Sequence, residues 1–265
     1  MTRMIFHGRK TSGVTLVELL VVTGVTVVLA GLAVGAAQSA LEKGGVASEI
    51  AAGKNLMAAF HSYAADHDGR YLPGMDGGAK QVTLPDGTRV SNKRAVMRYP
   101  LRLAPYFGYE FDGTILVNEN RKSVRKSGPD FHYAMTAYPA FGMNYKCVGG
   151  EVSGAGIVSN RDECITRQAQ SVGSVLVFAS AGSGRAYGNV HGYCNVDPPS
   201  AGWAGSDPDD SSDAANYGHV DFRHNGRAVC AFLDGSVKLQ SIGDLRDMRR
   251  WNKNAAYEDD PNYVF

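Results

Sequence analysis

Residues 13–37 read GVTLVELLVVTGVTVVLAGLAVGAA, and Glu18 is the one ionisable residue in the run. As a helix, Leu19 to Ala37 extends about 28 Å, which matches the hydrocarbon thickness of a bilayer. Its Val and Thr content is poor helix chemistry in water, but in lipid the backbone must satisfy its own hydrogen bonds, and helix follows. Gly24, Gly31 and Gly35 recur at spacings of seven and four, the kind of small-residue face on which membrane helices approach closely. The run is expected to span a membrane over 14–37.

Outward from this stretch toward the amino terminus lies MTRMIFHGRKTSG, residues 1–13, with Arg3, Arg9 and Lys10 and no acid. A basic flank keeps its own side cytoplasmic and sends the rest of the chain across. A secretory signal peptide cut near Ala37 is the competing reading, but its apolar core is normally shorter and holds no glutamate. A carboxylate inside an apolar run costs free energy and needs a partner, and Glu18 is therefore a functional candidate.

Gly13-Val14-Thr15-Leu16-Val17-Glu18-Leu19-Leu20 resembles the prepilin cleavage and methylation signature of type IV pilins and type II secretion pseudopilins. The resemblance implies cleavage by a prepilin peptidase between Gly13 and Val14, with Glu18 fifth in the mature chain. The family usually has Phe after the cut, where this chain has Val14, so N-methylation is less firmly implied than cleavage. The freed Val14 ammonium and the Glu18 carboxylate of a neighbouring subunit would attract strongly in a low dielectric, and each would offset the other's desolvation. In the family this pair is thought to set axial register.

Beyond the apolar run, residues 38–68 place Ile50, Met57, Phe60 and Ala64 at helical spacing, which predicts an amphipathic continuation of the same helix. Gly44-Gly45 is a place for it to loosen, and Asp68-Gly69 followed by Pro73 is its stop. Residues 69–265 are left for an exported β-rich body, long enough for a real core. Pro85-Asp86-Gly87 reads as a hairpin turn, and Ser174 to Ala179 as a buried strand. Phe141-Gly142-Met143-Asn144 is similar to a segment of many pilin-like proteins. The fold class expected is α+β and pilin-like: a long N-terminal helix, half membrane and half amphipathic, packed on an antiparallel sheet.

Asn225-Gly226 and Asp234-Gly235 are strong two-residue hairpin signals, and the strand Arg227–Leu233 between them predicts a three-stranded meander. Two-residue turns set Phe232 opposite Val237 and Cys230 opposite Leu239, while a bulge near His224 is needed to bring Val220 and Phe222 inward. His224, nine residues, then Asp234-Gly235 matches the H-X9-DG pattern that labels the carboxyl end of a prepilin-type subgroup, and residues 243–251, GDLRDMRRW, resemble its usual tail. His224 is read as closing the turn by hydrogen bonding, and Asp234-Gly235 as turn geometry.

The four cysteines suit an oxidising compartment. Cys147–Cys164 closes the short loop and is the first choice of disulfide, leaving Cys194–Cys230. Cys230, on an inward strand face, equally suits a buried free thiol. Asp207, Asp209, Asp210 and Asp213 are weak Ca²⁺ candidates in a polar loop, without EF-hand spacing. Otherwise neither cofactor nor metal is expected, since His219, Asp221 and His224 lack a fourth ligand. Nothing matches a nucleophile elbow, P-loop or dinucleotide fingerprint, so no enzyme is expected. The net charge of +1 gives no electrostatic case for nucleic acid. The function implied is a structural subunit of a type II secretion or type IV pilus-like assembly. It would be single-pass in the inner membrane with its carboxyl body outside. Its partners would be other pilin-like subunits, the prepilin peptidase, the assembly platform and membrane lipid. The alternative is an anchored extracytoplasmic module that binds carbohydrate or Ca²⁺ and uses the pilin export route.

Overall fold

The structure is a computed structural model and describes residues 16–155, 162–203 and 213–265. The chain forms two compact units, residues 1–44 and 45–265. Helix α1, Leu16–Asp66, supplies the whole described part of the first unit and the opening turns of the second. Gly44-Gly45 does not interrupt it. In the first unit Leu16, Leu20, Val27 and Leu29 are exposed. In the second, Met57, Phe60 and Ala64 of the expected stripe are buried, joined by Ala52 and Leu56, while Ile50 is partly buried. The helix closes where Gly69 N–H donates back to the Ala64 carbonyl at 2.8 Å.

Among the described residues the strands are short: β1 Met75–Asp76, β2 Val82–Thr83, β3 Arg89–Val90, β4 Phe141–Met143, β5 Glu151–Val152, β6 Leu176–Ser180, β7 Arg227–Phe232 and β8 Val237–Ser241. Between and after them lie the helices α2 Lys93–Val96, α3 Tyr99–Leu103, α4 Asn118–Arg125, α5 Phe131–Ala137, α6 Ile242–Leu245 and α7 Lys253–Glu258. The main sheet is antiparallel in the order β4-β6-β7-β8, with a parallel pair β1-β5 and the small hairpin β2-β3 apart from it. One sheet face carries Phe178, Val229 and Ala231 against the buried side of α1. The other carries Leu176, Ala179, Cys230 and Phe232 against Leu245, Met248 and Trp251 of the carboxyl tail. Gly53 lets α1 lie close on the sheet, since a Cβ there would stand 3.0 Å from Val237 Cγ1.

The pilin-like architecture expected from the sequence needs correction on two points. Among the described residues no helix is long and apolar enough to cross a membrane. The body is also not built on one dominant antiparallel sheet. Its largest sheet has four strands, and its short helices share the core.

The carboxyl meander is corrected too. Asn225-Gly226 does form a tight two-residue turn, with φ of 51° and 72° and reciprocal bonds between His224 and Arg227 at 3.0 and 3.1 Å. The segment before it is not a strand paired to β7, although Val220 and Phe222 are buried. Instead β6, from far upstream, occupies that side of β7. The second turn holds one more residue than expected, because Phe232 pairs with Ser236 around Leu233-Asp234-Gly235, with Gly235 at φ 81°. Ala231 therefore faces Val237 and Val229 faces Leu239. A one-residue slip moves every side chain to the opposite face, so Cys230 and Phe232 point to the tail rather than to α1.

Candidate functional site

Helix α1 carries a carboxylate on its buried face. Glu49 lies one turn before Ala52 and two before Leu56, and only 1 % of its surface is exposed. Ser180 Oγ at the end of β6 donates a hydrogen bond to Glu49 Oε1 and accepts one from Val229 N at 2.9 Å. Arg223 Nη2 reaches the same carboxylate oxygen at 3.1 Å and also donates to the Ala140 carbonyl at 3.0 Å. His224 Nε2 stands 3.0 Å from Oε2, and Asn118 Nδ2 donates to Oε2 at 3.4 Å and to the Gly45 carbonyl at 3.0 Å. An ionised carboxylate only accepts, so His224 must carry its proton on Nε2.

The electrostatics follow from these contacts. Burial pushes the Glu49 carboxyl upward. The Arg223 charge, the His224 hydrogen bond and charge, and the Ser180 hydroxyl overcome it and hold the group at about 2. Arg223 Nη1 extends the network to Asp221 at 3.4 Å, and Asp221 in turn meets His191 Nδ1 at 2.9 Å. The cluster lies beneath the surface, with 14 % of the Arg223 side chain and 13 % of the His224 side chain exposed. Such an arrangement holds elements together.

His224 thus contributes twice. Its backbone closes the Asn225-Gly226 turn, and its side chain fastens that turn to α1 across 175 residues of sequence. Asp234 caps the other turn by accepting from Ser236 N at 2.8 Å. Asn144, at the end of the Phe141 segment, is fully buried and donates to the carbonyls of Leu176 and Trp251, both at 3.0 Å, so it ties β6 to the tail. Glu49, Ser180 and Arg223 were missed in the sequence. The signal for Glu49 was its place in the series Glu49, Ala52, Leu56, Phe60, a carboxylate on an otherwise apolar helical face.

Gly13 and Val14 lie outside the described residues, as do Asp207, Asp209, Asp210 and the side chain of Glu18, whose backbone is in the first turn of α1. Asp213 caps a 3-10 turn, accepting from Ala215 N at 3.1 Å and Arg185 N at 3.2 Å. His219 Nδ1 bonds the Gly182 carbonyl and its ring stacks on Tyr193, so His219, Asp221 and His224 turn to three different partners. Among the described residues no three His, Cys, Asp or Glu gather to hold a metal ion.

All four cysteines, for which the pairs Cys147–Cys164 and Cys194–Cys230 were expected, stand as free thiols. The strip containing Cys194 runs along the outer side of β4, as Met143 pairs with Asn195, while Cys230 lies in β7 beyond β6. Three strand spacings amount to roughly 14 Å, too far for a disulfide. Cys147 and Cys164 lie on adjacent segments joined by the Ile165 N–H to the Cys147 carbonyl at 2.7 Å. Burial drives both thiols away from ionisation, Cys164 to about 12. No family model matches the chain, no curated protein matches it, and no solved structure matches it.

Proposed function

We propose that the chain is a structural subunit of a type II secretion or type IV pilus-like assembly, cut between Gly13 and Val14 and assembled through its N-terminal segment. The observation that supports the reading is the link between helix α1 and the H-X9-DG segment. The histidine of the H-X9-DG segment, His224, grips Glu49 on the same helix that begins beside the cleavage signature. A body fastened to the helix in this way suits transmission of position from one subunit to the next. The exposed apolar side chains of the first unit, among them Leu16, Leu20, Val27 and Leu29, supply surface for neighbouring subunits or lipid. On this reading the N-terminal segment, much of it outside the described residues, holds the chain at the inner membrane. The basic leader is then cytoplasmic and the body lies on the far side.

Mass spectrometry of the protein isolated from its own cells tests the proposal. The expected mature chain begins at Val14. An intact Met1, or a terminus near residue 38, overturns the reading, because neither leaves an ammonium at Val14 to meet a neighbouring Glu18. Glu18→Gln is expected to be processed but to fail in assembly.

A further inference from the structure

A second feature lies apart from the Glu49 cluster. A cleft of about 630 Å³ is walled by Tyr63, His67, Arg70, Tyr71, Thr166 and Arg167, among others, and no acid lines it. Its volume falls in the range typical of small-molecule sites. Arg70 and Arg167 face each other across an antiparallel bridge. Tyr71 N bonds the Thr166 carbonyl at 2.9 Å and Gln168 N the Gly69 carbonyl at 2.8 Å, one on each side of them. The arginines are therefore the non-hydrogen-bonded pair, the kind whose side chains stand closest. Like charges placed directly opposite are destabilising. Among the described residues neither arginine has a carboxylate within ion-pair distance, and both are exposed at the cleft.

The rest of the wall is fixed and largely flat. Tyr63 and His67 stack with ring centroids 3.8 Å apart and planes 8° apart. His67 Nδ1 donates to the Tyr63 carbonyl at 2.8 Å, which fixes the ring and leaves Nε2 free of that bond. Gln170 Oε1 accepts from Thr166 N at 3.0 Å and Arg167 N at 3.1 Å and so holds the Arg167 backbone in place. Tyr71 stacks on Phe60 of the core at 4.9 Å, which anchors that side.

We infer that this cleft binds an acidic saccharide, its carboxylate or sulfate held between Arg70 and Arg167 and a sugar ring lying against the Tyr63–His67 stack. Guanidinium groups bind such anions through paired hydrogen bonds, and the anion removes the repulsion that the bridge imposes. The aromatic stack offers an apolar face and an imidazole nitrogen to a ring bearing hydroxyls. The inference stands on residues of the second unit alone and does not depend on the assembly reading.

The test is titration calorimetry on the full chain with a galacturonate trimer, a neutral galactose trimer and inorganic sulfate. The acidic trimer is expected to bind, the neutral one not. Arg70→Gln and Arg167→Gln should each weaken the acidic trimer by about tenfold or more. Without any added anion the melting temperature of Arg167→Gln should equal or exceed that of the parent, because a like-charge pair is gone, and this also establishes that the variant is folded. Undiminished affinity in both variants, or no binding at millimolar trimer, overturns the site. Sulfate binding as tightly as the acidic trimer overturns the assignment to a saccharide.

Discussion

Glu49 is the residue on which the second unit converges. Two segments distant in sequence, one ending at Ser180 and the other at Arg223-His224, give it a hydroxyl, a guanidinium and an imidazole. A buried pair of this kind contributes little over a well-packed apolar substitute, but removing one partner leaves a charge stranded. Glu49→Gln is therefore expected to cost ~3 kcal/mol in chemical denaturation, because Arg223 loses its more deeply buried counter-charge and keeps only Asp221. The acid dependence has a definite sign. The carboxyl falls from 4.5 to about 2 on folding, so its stabilisation is complete above pH 4.5 and lost as pH drops through 2. Over that interval the parent should lose about 3 kcal/mol that Glu49→Gln does not lose, as read from denaturation midpoints across a pH series.

At the scale of elements, two glycine substitutions separate backbone conformation from close approach. In Gly226→Ala the new Cβ meets nothing within 4 Å, and the only penalty is φ of 72°, expected at about 1 kcal/mol. In Gly142→Ala the Cβ would stand 2.7 Å from both the carbonyl carbon and oxygen of Asn195. It should cost ~1–3 kcal/mol by forcing the strip at Asn195 away from β4. Thermal melts of the two variants side by side check the order. Local chemistry made much of this legible in advance: the stripe on α1, the run that became β6, and the Asn225-Gly226 turn are all read from neighbouring residues. The register at Asp234-Gly235 was not. It turns on whether Leu233 belongs to the loop, and Leu233 is held there by the core and by its N–H to the Val175 carbonyl at 2.9 Å, a contact nearly sixty residues away. The partner of His224 was illegible for the same reason.

Across the whole molecule, the cysteines distinguish burial from bonding. All four are free; Cys147, Cys164 and Cys230 are fully buried and Cys194 is partly exposed. Iodoacetamide is expected to leave Cys147, Cys164 and Cys230 of the native chain unmodified, and to label all four sites in guanidinium without any reductant. Mass spectrometry after each treatment reads the outcome, and a disulfide at any pair would leave two sites unlabelled in the second. The composition pointed to export and thereby to disulfides, but the fold puts each thiol where a small apolar side chain fits.

The bond from His224 to Glu49 has a temporal side. A ribosome completes residue 49 long before it reaches residue 224, and β7, which covers the same helix face, arrives later still. Until then the helix face around Phe60 rests on β4 and β6 alone, and the Glu49 carboxylate lacks Arg223 and His224. Topologies closed by such distant contacts fold late and leave sticky intermediates. The nascent protein therefore carries an incompletely covered seam on α1 until residues 223–232 are out.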